Sequence, residues 1–137
     1  MKPPNRCFAC GEANPEGLHL EFRYDPTQLR ADCDVQVSSK YQGATGFAHG
    51  GIVATLLDEA MAKTNGLGGI RAVTLRITVS YRKMVPLEQP LKLFGWRTMR
   101  KGRKLYLRSE LRDPQETLLA EARGLFLEMQ ETTDKRR

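Results

Sequence analysis

Cysteine is scarce in this chain of 137 residues: Cys7, Cys10 and Cys33 are all it holds. A small odd count without a secretion signal argues against a disulfide framework. Cys7-Phe8-Ala9-Cys10 has the spacing of half a zinc site, and His19 and Cys33 would in principle complete four ligands. The second C-x-x-C or H-x-x-x-H is missing, so no metal is expected and reduced thiols are the reading. No βαβ pattern surrounds the pair, which tells against a redox motif. Also absent is any run of about 18 apolar residues, so no membrane span is expected. The start Met1-Lys2-Pro3-Pro4-Asn5 lacks the apolar core of a signal peptide, and a cytoplasmic protein is expected. Aromatic residues are few and are not interleaved with the basic ones, which removes the stacking platform that nucleic-acid binding needs. No linker or internal repeat breaks the chain.

What is present is globular in character, hydrophobic 40% and charged 28%, and the length suits one ordinary domain. The expected organisation is a leader over 1–16, a domain over 17–129 and a basic tail over 130–137. The net charge of +6 suits nucleic acid, a membrane surface or a small polyanion such as a nucleotide-bearing cofactor. Lys135-Arg136-Arg137 reads as a solvated end, whereas Arg97, Arg100, Lys101, Arg103 and Lys104 gather around a single turn.

Alternation with period two dominates. Leu18, Leu20, Phe22 and Tyr24 alternate with polar residues and predict a half-buried strand ending at Asp25-Pro26; Ala31, Cys33, Val35 and Val37 predict another. Further strands are predicted over 73–81, 91–97, 104–111 and 117–128, the last three joined by Arg100-Lys101-Gly102-Arg103 and Asp113-Pro114-Gln115. Long strands joined by short turns imply an antiparallel sheet. The exception is 51–64, where Ile52, Val53, Ala54, Leu56, Leu57, Ala60, Met61 and Ala62 leave almost no polar face, with Asn65-Gly66 as the stop signal. A helix apolar nearly all round is a buried one, so the sheet must wrap around it.

Two acids, Asp58 and Glu59, lie inside that helix, and a buried carboxylate without partners is costly. Glu59 is read as reaching solvent or an ion pair at the helix edge. Asp58 is singled out because Gly51, Ala54, Thr55 and Ala62 share its side and leave open space beside it. Just before the helix, Phe47-Ala48-His49-Gly50-Gly51 offers a helix N-terminus whose N–H groups favour a developing oxyanion. Glycines there admit close approach to the backbone. Gly51 and Asp58 are separated by roughly 10 Å along one helix, too far to share one carbonyl group. If both act on the same group, Asp58 must come from a second subunit, which predicts a two-fold dimer with shared sites.

The stretch Gly46-Phe47-Ala48-His49-Gly50-Gly51-Ile52-Val53-Ala54-Thr55-Leu56-Leu57-Asp58 resembles the signature of hotdog-fold thioesterases, specifically the phenylacetic-acid-degradation and THEM-like branch. Residues 73–87 resemble that branch's following strand, and Cys7-Phe8-Ala9-Cys10-Gly11 with Asn14-Pro15-Glu16-Gly17-Leu18 resembles a leader seen in some members. The resemblance implies an α+β hotdog fold, a long antiparallel sheet wrapped around one central helix. It implies hydrolysis of an acyl-coenzyme A thioester, with no cofactor, coenzyme A being part of the substrate. Asp58 would then be nucleophile or general base, with His49 and the Gly50-Gly51 backbone at the thioester oxygen. Thr74 matches a position whose hydroxyl holds the water or the carboxylate, and Gln42 an upstream polariser. Arg82, Lys83, Arg97, Arg100, Lys101, Arg103 and Lys104 form the pool for the coenzyme's phosphates. Phe47, Met61, Leu67 and Trp96 are candidates for the acyl pocket. The implied assembly is a homodimer, or a dimer of dimers, acting without nucleic acid or membrane. A non-catalytic acyl-CoA-binding module on the same fold is the competing reading. A hotdog dehydratase is disfavoured because its His-Phe-Pro-Gly loop is absent.

Overall fold

Period-two patterning becomes sheet along most of the chain, and the helical stretch becomes the one α-helix among the described residues. The computed structural model describes residues 3–130; the expected tail, apart from Gln130, lies outside them. The elements are β1 (Arg23–Asp25), β2 (Arg30–Val35), a 3-10 turn (Ser39–Tyr41), α1 (Gly50–Leu67), β3 (Ala72–Tyr81), β4 (Leu91–Lys101), β5 (Lys104–Arg112) and β6 (Leu118–Glu128). The strands form one antiparallel sheet in the order β1-β2-β4-β5-β6-β3. This is the α+β architecture the sequence implies. None of the described helices is long and apolar enough to cross a membrane.

The helix lies across one face of the sheet. Val53, Leu56, Leu57, Ala60 and Met61 are buried against Leu91, Leu93, Leu105, Leu107, Leu111 and Phe126. Along β4 the buried residues Leu91, Leu93 and Gly95 alternate with exposed or half-buried ones, as a sheet with one covered face requires. At Gly95 the helix backbone comes so close that an added Cβ would sit 2.7 Å from the Ala60 carbonyl oxygen. Gly95→Val is therefore expected to lower stability by at least the ~1–3 kcal/mol typical of core overpacking. Urea unfolding of the variant beside wild type checks this.

Three expectations are corrected. The strand predicted from Leu18 is regular only over Arg23–Asp25. His19 takes φ 54 and interrupts the extended run, while Leu18 and Leu20 donate their N–H groups to Phe8 and Ala9 of the leader. Their side chains still meet the core. The helix also runs past Asn65-Gly66 to Leu67, ending at Gly68. Gly66 tolerates helical geometry; the chain leaves it where Gly69 turns to φ +86. Finally, α1 is not covered all round: Gly51 is exposed, and Ala54, Thr55, Asp58 and Ala62 are half-buried. At Asp58 that side meets Thr74 of β3, the last strand of the sheet, beyond which no further strand lies among the described residues.

Candidate active site

The site begins with the loop before α1. Gln42 bridges Ala48 and Phe47 bridges Pro86, while the Ala48 N–H donates to the Val85 carbonyl and the His49 N–H to that of Tyr41. The Gln42 Oε1 accepts from the Gly46 N–H at 2.8 Å, so this side chain holds its own loop. The loop delivers His49 in extended geometry, φ −63 and ψ 139, as the N-cap of α1. Its Nδ1 accepts from the Gly51 N–H at 2.9 Å. An accepting Nδ1 fixes the neutral tautomer carrying its proton on Nε2. The cap and the exposed Nε2–H donor are thus two sides of one ring. Ile52 and Val53 donate to the His49 carbonyl. The Gly50 N–H meets no acceptor among the described residues, and it is the helix-terminal donor left for a ligand. Tyr81, which sequence reasoning used only as a strand end, donates from its hydroxyl to the Gly50 carbonyl at 2.7 Å and anchors the turn to β3.

Two turns along α1, Asp58 is half-buried and its Oδ1 accepts from the Thr74 hydroxyl at 3.0 Å. Burial raises the Asp58 pKa above the ordinary carboxylate value, and the Thr74 hydrogen bond opposes part of that rise. Between the two, Thr55 spends its hydroxyl on the Gly51 carbonyl at 3.0 Å. The site residues thus fall into two separate groups, the His49-Gly50 turn beside Tyr81 and the Asp58–Thr74 pair nearer the start of β3.

The basic pool divides the same way. Arg82 and Lys83 line a cleft of about 490 Å³ together with His49, Gly50, Tyr81 and Met84. Arg82 is tied to Glu121 at 2.8 Å, and Lys83 forms no ion pair among the described residues. Arg100, Lys101, Arg103 and Lys104 lie around the β4–β5 turn at the other end of the sheet: β5 sets Lys104 against Leu127, and β3 sets Ala72 against Glu128 but Tyr81 against Ala120. There Arg100 pairs with the Glu128 carboxylate, and Arg103 donates to the Glu128 carbonyl at 3.0 Å. Arg97 lies inward along β4, opposite Leu107. Of the acyl-pocket candidates, Met61 is wholly buried in the core. Trp96 alternates with the helix-facing residues of β4 and stacks on Phe94 at 5.9 Å, so it belongs to the face turned away from α1.

Residues 45–120 match the family model of the thioesterase superfamily. The human protein "Acyl-coenzyme A thioesterase THEM5" is 30% identical over 123 residues, 88% of this chain and 49% of that protein. The chain thus spans about half the length of the curated relatives it matches. A crystal structure described as a thioesterase superfamily protein superposes with TM-score 0.84 at 26% identity, covering 90% of this chain and 63% of that one. The structure of smu.793 from Streptococcus mutans, bound to acetyl CoA, superposes with TM-score 0.75 at 20% identity, covering 83% and 91%.

Proposed function

The chain belongs to the thioesterase superfamily, and from that premise we propose that it hydrolyses acyl-coenzyme A thioesters at a site shared between two subunits. The observation that carries the reading is the Thr74–Asp58 hydrogen bond, which holds a half-buried carboxylate on the open side of α1. The names of the curated relatives and the acetyl CoA in one neighbour support the substrate class.

In the proposed reaction the thioester carbonyl lies at the His49-Gly50 turn, its oxygen receiving the Gly50 N–H and the His49 Nε2–H. Asp58 either takes a proton from water as it attacks the acyl carbon, or attacks that carbon itself. The carbon–sulfur bond then breaks. In the first case Asp58 returns the proton it took to the leaving sulfur and the free acid forms directly. In the second the thiolate takes its proton from water, and a further water hydrolyses the acyl–Asp58 anhydride to the free acid. Lys83 and Arg82, at the mouth of the cleft, meet the phosphates of coenzyme A. Since roughly 12 Å of helix separates Gly50 from Asp58, the partner must supply one of the two halves. Gly50 sits beside Tyr81, and Asp58 beside Thr74. Antiparallel pairing of two β3 edges, with Thr74 opposite Tyr81 of the partner subunit, brings the halves together twice about one two-fold axis between Ile77 and Thr78.

Release of free thiol from a panel of acyl-CoAs tests the activity; binding without turnover, where a control thioesterase works, would favour the binding-module reading. Mixing two inactive variants tests the shared site. Asp58→Asn and Gly50→Pro subunits, unfolded and refolded together, should recover about one quarter of wild-type activity, because about half the dimers are mixed and each has one intact site. No recovery would place both halves in one subunit. A subtler check uses pH. Asp58 must be ionised to act, so activity falls as pH drops through its raised pKa. Thr74→Val removes the bond that opposes the rise, and the acid limb of kcat/KM should move to higher pH. An unmoved limb would mean that Asp58 is not the group titrating.

A further inference from the structure

The leader turn and the neighbour of the catalytic acid make a second constellation, on the other side of α1. Cys7 and Cys10 bring their sulfurs together with a carboxylate oxygen of Glu59, all three ligand atoms within 4.8 Å of one another. We propose that Cys7, Cys10 and Glu59 bind a zinc-class divalent cation, with a fourth position open to water or an added donor.

The turn is built for two sulfurs on one side. The Gly11 N–H closes it onto the Cys7 carbonyl at 2.8 Å, and an added Cβ at Gly11 would sit 2.4 Å from the Cys7 nitrogen. The Ala9 N–H points at the Cys7 sulfur at 3.4 Å, and the Asn5 amide lies 3.9 Å from that of Cys10. Donors aimed at sulfur orient a ligand and favour its thiolate form. Asn5 is held in turn, its Oδ1 accepting from the Cys7 N–H at 3.0 Å. Ala9, inside the turn, is buried in the core, and Phe8 and Ala9 accept from Leu18 and Leu20. The turn is therefore fixed against α1 rather than loose.

Glu59 departs from the solvated role its sequence suggests. Lys63, four residues on, is the ion-pair partner a helix supplies, yet no ion pair joins them among the described residues. Its carboxylate faces the thiols instead. Two thiols and a carboxylate suit a borderline-soft ion such as zinc and are poor for calcium or magnesium. A disulfide has no use for the carboxylate. A divalent cation would draw the two sulfurs and the carboxylate together and expel the thiol protons as it binds. Neither other thought-of ligand takes part: Cys33 is buried in β2 beside the Asp34 carbonyl, and His19 reaches the Asn14 carbonyl.

The test uses the full chain, reduced, stripped with chelator and titrated anaerobically with Co²⁺. One equivalent should produce thiolate-to-cobalt charge-transfer absorption, which one equivalent of Zn²⁺ bleaches, and zinc should raise the thermal midpoint. Cys7→Ser and Cys10→Ser should each remove most of the absorption. Glu59→Gln should keep the sulfur signal but weaken zinc by at least the roughly ten- to hundredfold that losing even an outer partner costs such a site. Cys7 is exposed, so its variant keeps the experiment decisive should Cys10→Ser fold poorly. A wild type without charge-transfer absorption, absorption that survives in Cys7→Ser, or an unchanged affinity in Glu59→Gln would each overturn the assignment.

Discussion

Asp58→Asn is expected to cut acyl-CoA turnover on the order of 10²–10⁴-fold, the usual worth of a positioned acid or base, with the fold retained. The amide fills the same space beside Thr74 and accepts the same hydroxyl hydrogen bond, so loss of activity would report the missing charge. Stability should move the other way. Folding raises the Asp58 pKa, so this carboxyl's contribution to stability is full below its unfolded pKa and is lost as pH rises through the folded one. At neutral pH the wild type carries a charge that folding disfavours, and the neutral amide removes it. Asp58→Asn should therefore melt no lower than wild type near pH 7, the difference narrowing as acid protonates the natural residue. Thiol release and thermal melts across pH check both halves. An inactive variant that is also much less stable at neutral pH would mean that Asp58 serves the fold rather than the reaction.

Gly50→Pro is expected to have the second large effect, about 10²–10³-fold in kcat, the loss recorded when an oxyanion donor is removed. Proline at the first helical position costs little, because the N–H it lacks has no partner inside the helix. His49, with φ −63 and ψ 139, already holds the extended geometry that proline imposes on the residue before it. An added Cβ at Gly50 would meet Tyr81 at 3.6 Å, an ordinary contact. The substitution thus deletes one hydrogen-bond donor and little else. A change in KM with kcat preserved would show that the Gly50 N–H serves ground-state binding alone.

The fold was legible in the sequence where burial repeats at a fixed period. β2 and β5, the first half of β4 and β6 from Ala120 on alternate because one face meets α1, and α1 is largely apolar because it packs on that face. Legibility fails where the partner is not the sheet. Leu18 and Leu20 alternate like strand residues, but their N–H groups bond to Phe8 and Ala9 of the leader, and no local pattern distinguishes the two. Asn65-Gly66 reads as a stop although Gly69, three residues later, makes the turn. In the site, Asp58 stood out as a charge among small residues, and the 10 Å separation from Gly51 follows from helix pitch alone. Tyr81 and Glu59 did not, since a tyrosine ending a strand and a glutamate on a helix are both ordinary. Only their contacts, the Gly50 carbonyl and the paired thiols, distinguish them.

The uncovered edge of β3 has a consequence for a newly made chain. Ten residues of strand with Val73 44% and Leu75 51% exposed are an adhesive border, ready to pair with any passing strand. Arg76 is the one charged residue on that border. In the pairing proposed for the two halves of the site, Arg76 would lie opposite Val79 of the partner subunit. A slip of three positions would set the two arginines face to face, which like charges resist. The guanidinium thus acts as a gatekeeper of register, tolerating the productive embrace and penalising a mistaken one. In that proposed assembly the event that covers the edge would also complete the site, so a subunit without its counterpart would be both idle and prone to precipitate.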